Sequence, residues 1–167
     1  MKGIIIELGG LQFCRTGADD LDRILEIERD NSDFVFSWSR ERHLEAIERS
    51  DEEHVVIKLS DSGELAGYII LAGVGGEDRV LEFRRMAIAD KGRGYGRTSV
   101  RFIKEYCFQV LKYHRLWLDV YTDNERAISL YKSEGFVQEG LLRECKKFEN
   151  GYRSMVIMSM LEQEYEG

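Results

Sequence analysis

The run Lys91-Gly92-Arg93-Gly94-Tyr95-Gly96-Arg97-Thr98 has the residue types and spacing of an anion-binding loop. Glycine lets a backbone approach a ligand closely and adopt conformations closed to other residues. A strand-like stretch, Val80 to Ala89, leads into the run, and Val100, Ile103, Cys107, Val110 and Leu111 follow as one apolar stripe at helical spacing. The loop therefore meets a helix N-terminus, whose free N–H groups and positive dipole end attract negative charge. Successive N–H groups lining such a concavity favour phosphate above other anions.

Two familiar phosphate loops do not fit. A P-loop ends in Gly-Lys-Ser/Thr after a four-residue spacer, whereas Gly96 is followed by Arg97-Thr98. The dinucleotide fingerprint is closer, with Gly92-x-Gly94 between strand and helix and Asp119 near the distance of a ribose-binding acid. Its third glycine would fall at position 97, which is Arg97, and an arginine cannot provide close helix-to-strand packing. The motif also lies past the middle of the chain, leaving too little sequence for two mononucleotide halves.

The elements that position this loop are legible from periodicity. Strand signals fall at Leu11 to Arg15, His54 to Leu59, Glu64 to Leu71, Val80 to Ala89, Arg115 to Val120, Phe136 to Leu142 and Ser154 to Leu161. Asp61-Ser62-Gly63 and Glu149-Asn150-Gly151 read as hairpin turns. Helical spacing occurs in Leu21, Ile24, Leu25 and Ile27, around Leu44 and Ile47, from Ser99 to Leu111, and from about Asn124 to Glu134. Thr122 with Glu125 reads as a capping box for the last helix. With 167 residues, 43% hydrophobic, no proline and no linker or repeat, the economical reading is one α/β domain spanning residues 1–167.

Downstream lies Leu118-Asp119-Val120-Tyr121-Thr122-Asp123-Asn124-Glu125-Arg126-Ala127-Ile128-Ser129-Leu130-Tyr131-Lys132-Ser133-Glu134-Gly135-Phe136. Together with the glycine loop, this resembles the GNAT superfamily of acetyl-CoA-dependent N-acetyltransferases. That family carries Gln/Arg-x-x-Gly-x-Gly/Ala at the pyrophosphate loop and Asn…Leu-Tyr-x-x-x-Gly-Phe beyond it. The resemblance covers about Leu65 to Leu161. Within it, Gly140-Leu141-Leu142-Arg143-Glu144 and Gly151-Tyr152-Arg153-Ser154 resemble the branch of bacterial ribosomal-protein N-terminal and spermidine acetyltransferases. Lys91 stands where the family has Gln or Arg.

The resemblance implies an α/β (α+β) fold: a mixed, mostly antiparallel sheet of about seven strands, splayed between the fourth and fifth and flanked by about four helices. It implies acetyl-CoA as cosubstrate, held by Lys91, Arg93, Gly94, Tyr95, Gly96, Arg97 and Thr98 at its phosphates. Met86, Ala87 and Ile88 would pair with the pantetheine arm, and a backbone N–H among them would stabilise the oxyanion. Asn124 would contact the same arm or cap its helix. Tyr131 falls where the family places the general acid that protonates the departing thiolate. An amine of pKa about 10.4 must lose a proton before attack, and Glu82 and Asp119 are the candidate bases.

The acceptor side would be built from the first two helices and their connector, where Phe34, Phe36 and Trp38 stand among polar and acidic residues. Such a loop suits a protein N-terminus, a polyamine or a small-molecule amine. A catalytically silent acetyl-CoA sensor or scaffold is the alternative from another class. The net charge of −7 argues against nucleic acid. Three cysteines without a CxxC pair, and His43, His54 and His114 without ligand spacing, predict no metal and place the histidines in structural or surface roles. Met1-Lys2 and three isoleucines before Glu7 are too short for a signal peptide, and no apolar run is long enough to cross a membrane, so the expected location is the cytoplasm. A monomer or homodimer is expected, with a C-terminal edge strand available for pairing.

Overall fold

Runs of β-branched and aromatic residues become strands here, and the 3.6-residue stripes become helices that cover both faces of the sheet. The computed structural model describes residues 3–167; Met1 and Lys2, at the start of the stretch read as too short for a signal peptide, lie outside the described residues. In chain order the elements are β1 (Ile4–Leu8), β2 (Leu11–Arg15), α1 (Leu21–Asp30), α2 (Arg40–Glu48), β3 (Glu52–Leu59), β4 (Leu65–Ala72), β5 (Val80–Ile88), α3 (Tyr95–Glu105), β6 (Arg115–Tyr121), α4 (Glu125–Ser133), β7 (Val137–Phe148) and β8 (Gly151–Leu161). The strands form one sheet in the order β1-β2-β3-β4-β5-β6-β8-β7. Every pairing is antiparallel except β5 with β6.

The sheet has eight strands among the described residues, against about seven predicted. The added one is β1, whose isoleucines pair with β2 through a bulge after a turn at Gly9-Gly10. The last two strands are also longer than predicted, because pairing resumes beyond an irregularity between Leu142 and Lys146 and continues to the turn at Glu149-Asn150. The C-terminal strand β8 lies inside the sheet, between β6 and β7, so the edge strand is β7. The stripe from Ser99 to Leu111 is α3 continued by a single π-helical turn, Tyr106–Val110. Asn124, rather than Thr122, caps α4: its side chain accepts the Ala127 N–H at 3.3 Å.

Alternate residues of the central strands enter two separate cores, as expected of strands buried on both faces. Val55, Ile57, Ile69 and Leu71 pack with Val100, Phe102 and Ile103 of α3, where Phe13 stacks on Phe102 at 4.2 Å. Val56, Tyr68 and Ile70 pack on the opposite face with Leu21, Ile24 and Ile27 of α1.

The site is created where this sheet stops being continuous. β5 and β6 pair only over Val80–Glu82 and Arg115–Trp117. Beyond Glu82, β5 follows β4 to Ile88 while β6 follows β8 to Tyr121, so the two strands part. A bulge at Arg84 lies at the start of the divergence, where Ile70 and Leu71 face Arg85 and Phe83. Further along, at the end of β5, Gly67 lets β4 and β5 approach beside Ile88, since a Cβ at that position would lie 2.5 Å from the Ala87 carbonyl oxygen.

Candidate active site

The divergence opens a cavity of about 1200 Å³. Its walls come from β5 (Glu82 to Ile88), β6 (Leu118 to Tyr121), the glycine loop, α4 and the α1–α2 connector. Because α1 and α3 cover opposite faces, the cavity joins the two sides of the sheet.

At the α3 side, Gly92 and Gly94 adopt φ of +85° and +82°, the left-handed region that favours glycine. Gly94 caps α3, and a Cβ there would meet nothing within 4 Å. The first-turn N–H groups of α3 have no intrahelical acceptor, and Tyr95, Gly96 and Arg97 line the cavity. This concavity lined by helix N-terminal N–H groups fits a phosphate group. Lys91 and Gly94 line the same wall.

Three loop side chains pair or point elsewhere in the fold. Arg93 lies outside the lining, exposed beside Asp90 at 3.8 Å. Thr98 turns towards β1–β2, where a Cβ at Gly9 would lie 3.0 Å from its Cγ2. Arg97 reaches α4, donating to Ser133 Oγ at 3.0 Å and Glu134 Oε1 at 2.7 Å. Glu134 also binds Arg101 at 3.1 Å and Lys104 at 3.0 Å. Burial alone would raise this carboxyl, but the hydrogen bonds from Arg101, Lys104 and Arg97 outweigh it and hold it at about 2.

Tyr131, on α4, is buried against the cavity, edge-on to Phe83 with ring centroids 5.7 Å apart. Burial alone pushes its phenol above the ordinary range, keeping it protonated. Asn124 lines the cavity as well as capping α4. Met86, Ala87 and Ile88 form the β5 wall, and the Ile88 carbonyl accepts from Asn31 Nδ2 at 3.3 Å.

Both candidate bases face the cavity where β5 and β6 part. Glu82 sits level with Trp117, and Asp119 is the next residue on the same face of β6. Arg84 bridges Glu82 at 2.8 Å and Glu52 at 2.6 Å. Half-buried Asp119 has its carboxyl raised by burial and then by the Glu82 charge, with Lys146 opposing.

Phe34, Phe36 and Trp38 line the α1–α2 side of the cavity. Phe36 packs on Phe148 at 5.5 Å, and the guanidiniums of Arg42 and Arg85 flank Trp38 at 4.0 and 4.5 Å. The structure adds Arg42, Arg85, Tyr121 and Lys146 to the lining. Lys146 lies on the part of β7 beyond the predicted strand, so periodicity could not have found it. Tyr121 stands within the strand-to-helix segment that was read, and its aromatic ring at a strand end is the one available signal. His43 and His54 are both buried, bonded to each other at 2.9 Å. Among the described residues, no group of three or more His, Cys, Asp or Glu could hold a metal, and no helix is long and apolar enough to cross a membrane.

The model of the acetyltransferase (GNAT) family matches residues 21–136. The chain is 28% identical to spermidine N(1)-acetyltransferase of Escherichia coli over 159 residues, 88% of this chain and 83% of that enzyme. It is 33% identical to the Vibrio cholerae enzyme of the same name over 103 residues, 60% of this chain and 59% of that one. A crystal structure of spermidine N-acetyltransferase from V. cholerae in complex with CoA and spermine superposes with a TM-score of 0.83 at 26% identity, covering 93% of this chain and 98% of that one. A dodecameric structure of that enzyme superposes with a TM-score of 0.80 at 25% identity, covering 93% and 96%.

Proposed function

The chain belongs to the acetyltransferase (GNAT) family and is an acetyl-CoA-dependent N-acetyltransferase, and from that premise we propose that its acceptor is a polyamine, bound in the cavity between β5 and β6. The observation that carries this is the pair Glu82 and Asp119 at the parting of the strands, between the glycine loop on one side and the aromatic connector on the other. Two carboxylates there would receive an ammonium group and relieve it of a proton. Both curated relatives named above act on spermidine.

When bound, acetyl-CoA supplies an acetyl thioester, and attack by the amine nitrogen forms the amide as the carbon–sulfur bond breaks. The loop N–H groups of Tyr95 to Arg97 would hold its phosphates, with Lys91 adding charge. The edge of Met86 to Ile88 turned away from β4 would align the pantetheine arm and offer an N–H to the developing oxyanion. The ammonium proton passes to Glu82 or Asp119 and then to solvent. Tyr131 gives its phenolic proton to the thiolate and recovers one from solvent. Tyr131 and both carboxylates line one cavity, which favours transfer over a silent coenzyme-binding module.

Arg42 and Lys146 favour a second reading. They line the cavity and make no ion pair among the described residues, a lining that suits an amine bearing an acidic group. Release of free CoA thiol decides between the two over a panel of spermidine, spermine, α-amino acids and peptides. A kcat/KM for spermidine about tenfold or more above the carboxylate-bearing amines supports the polyamine reading. The reverse order supports the second, and no turnover with any acceptor rejects both.

Assembly follows the same relative. The V. cholerae enzyme has a dodecameric structure, so a homo-oligomer larger than the expected monomer or homodimer is proposed. Val137, Leu141, Leu142 and Tyr152 leave an exposed apolar surface on the β7–β8 hairpin consistent with it. Light scattering coupled to gel filtration tests the mass.

A further inference from the structure

Glu28 on α1 is completely buried, and none of the steps above uses it. Its Oε1 receives Tyr68 Oη at 2.6 Å, His43 Nε2 at 2.8 Å and Arg85 Nη2 at 3.1 Å. Its Oε2 accepts the Trp38 backbone N–H at 3.0 Å. Behind His43, Nδ1 lies 2.9 Å from His54 Nε2, and His54 Nδ1 lies 2.8 Å from Thr16 Oγ1.

The chemistry of the donors orders this chain. An ionised carboxylate only accepts, so His43 carries hydrogen on Nε2. One hydrogen is shared between His43 Nδ1 and His54 Nε2, and another between His54 Nδ1 and the Thr16 hydroxyl, so the row runs unbroken from Thr16 to Glu28. Burial and then the neighbouring His43 hold His54 down at about 3, which keeps it neutral. Four donors and one guanidinium charge satisfy a carboxylate that would otherwise be very costly to bury.

The network reaches the cavity through two residues of the α1–α2 connector. Glu28 holds the Trp38 N–H, and Arg85 donates to the Phe36 carbonyl oxygen. Arg85 also lies against the Trp38 ring and lines the cavity beside Met86. Glu28 and Arg85 thus fix the backbone on both sides of Ser37, carrying Phe36 and Trp38 into the wall. Elsewhere the segment is held by Phe36 on Phe148 and by Arg153, which donates to the Asp33 carbonyl oxygen at 3.0 Å, so Glu28 and Arg85 supply the anchors nearest Trp38.

We infer that the buried Glu28–Arg85 pair is a positioning device for acceptor binding: it sets the affinity for the amine by holding the Phe36–Trp38 wall in place, with Glu28 touching neither substrate. This rests on the reading of that wall as the acceptor side. Glu28→Gln keeps the shape but turns one accepting atom into a donor, which must face either the Trp38 N–H or the Tyr68, His43 and Arg85 donors.

The expected result is an acceptor KM raised about tenfold, with kcat within about threefold and acetyl-CoA affinity within about twofold of the parent. In a Trp117→Phe background, Trp38 is the only tryptophan, so its fluorescence should become more accessible to acrylamide in the same variant. Trp38→Ala is the control for the wall itself. If Trp38→Ala raises KM while folded Glu28→Gln leaves KM and quenching unchanged, the positioning role is wrong and the acceptor wall stands. If neither variant moves KM, the acceptor wall is wrong and the inference falls with it. Should Glu28→Gln not fold, Tyr68→Phe removes one donor and keeps the ring. It should raise KM about threefold with kcat unchanged, and an unchanged KM there overturns the proposal.

Discussion

Arg97 Nη1 stands 2.7 Å from Glu134 Oε1, tying the first turn of α3 to the end of α4. The loop that would hold the coenzyme phosphates and the helix that carries Tyr131 are therefore braced against each other. The Arg97 charge is compensated by a carboxylate, so the proposed anion binding falls chiefly to the loop N–H groups. Glu134 has a folded-state pKa of about 2 against an ordinary 4.5, so its ion pairs stabilise the fold above pH 4.5 and are lost as pH falls towards 2. The 2.5-unit difference corresponds to about 3 kcal/mol at most, reduced by solvent screening because Arg97 and Arg101 are roughly half exposed. Acid unfolding followed by circular dichroism should show this loss in the parent, and Glu134→Gln should be less stable at pH 7 and flatter between pH 4.5 and 2.

His54 adds a second acid limb at higher pH. Its folded pKa of about 3 lies below the ordinary 6.5, so the unfolded chain binds a proton first as pH falls. Stability is therefore full above pH 6.5 and declines between 6.5 and 3. His54→Gln should remove most of that slope in thermal melts taken across the range, and a slope that survives unchanged assigns it to another group.

Tyr131→Phe tests the general acid cleanly, because burial is the only influence on the phenol and the ring packing is retained. We expect kcat to fall about 10–100-fold with the melting temperature unchanged. A raised phenol stays protonated through the working range, so the alkaline limb of the parent pH profile should not move to a lower pH in the variant. A variant as fast as the parent would exclude the assignment.

The two carboxylates can be told apart by pH profile. Asp119 is raised by burial and by Glu82, and a base works only when ionised, so kcat/KM should rise with pH through that raised value. If Asp119 is the base, Asp119→Asn loses that limb and about 10–100-fold in rate. Glu82→Gln should instead move the limb to lower pH, because it removes the neighbouring charge. An Asp119→Asn enzyme with parental rate and limb identifies Glu82 or a water as the base.

Gly94→Ala and Gly94→Val separate backbone strain from occlusion. At φ +82° any side chain costs about 1 kcal/mol of stability. The added Cβ meets no protein atom within 4 Å, so the larger Val side chain extends into the cavity. Calorimetry should find acetyl-CoA binding weakened more than about tenfold by Val and much less by Ala. Equal affinities would show that the phosphates lie elsewhere.

The parts of the site that were legible are those governed by nearby residues. A left-handed Gly94 ahead of a helix and the apolar stripes are each set within a few residues and fall where periodicity and turn chemistry put them, although α3 begins at Tyr95, four residues before the expected Ser99, and Asn124 rather than Thr122 caps α4. The same holds for Tyr131 and the two carboxylates, which come from segments whose strand or helix character is local. Less was legible at the ends of the sheet. β1 carries only a short isoleucine run, and the outer half of β7 follows an irregularity that breaks its alternation.

Partnership across the fold was not legible at all. Arg97 looks like a phosphate ligand until Glu134, 37 residues on, takes its charge. Glu28 looks like one more acid on a charged helix. Its partners lie 15 residues away in His43, 40 in Tyr68 and 57 in Arg85, on three different elements. The chain alone determined seven of the strands, the glycine loop ahead of α3 and the side chains proposed to move protons, because torsional preference and hydrophobic period act over a few residues. Which charges stay free, which are neutralised in the interior, and how the connector of α1 and α2 is held against the cavity were decided only by packing. A buried carboxylate must collect its donors from wherever the fold brings them.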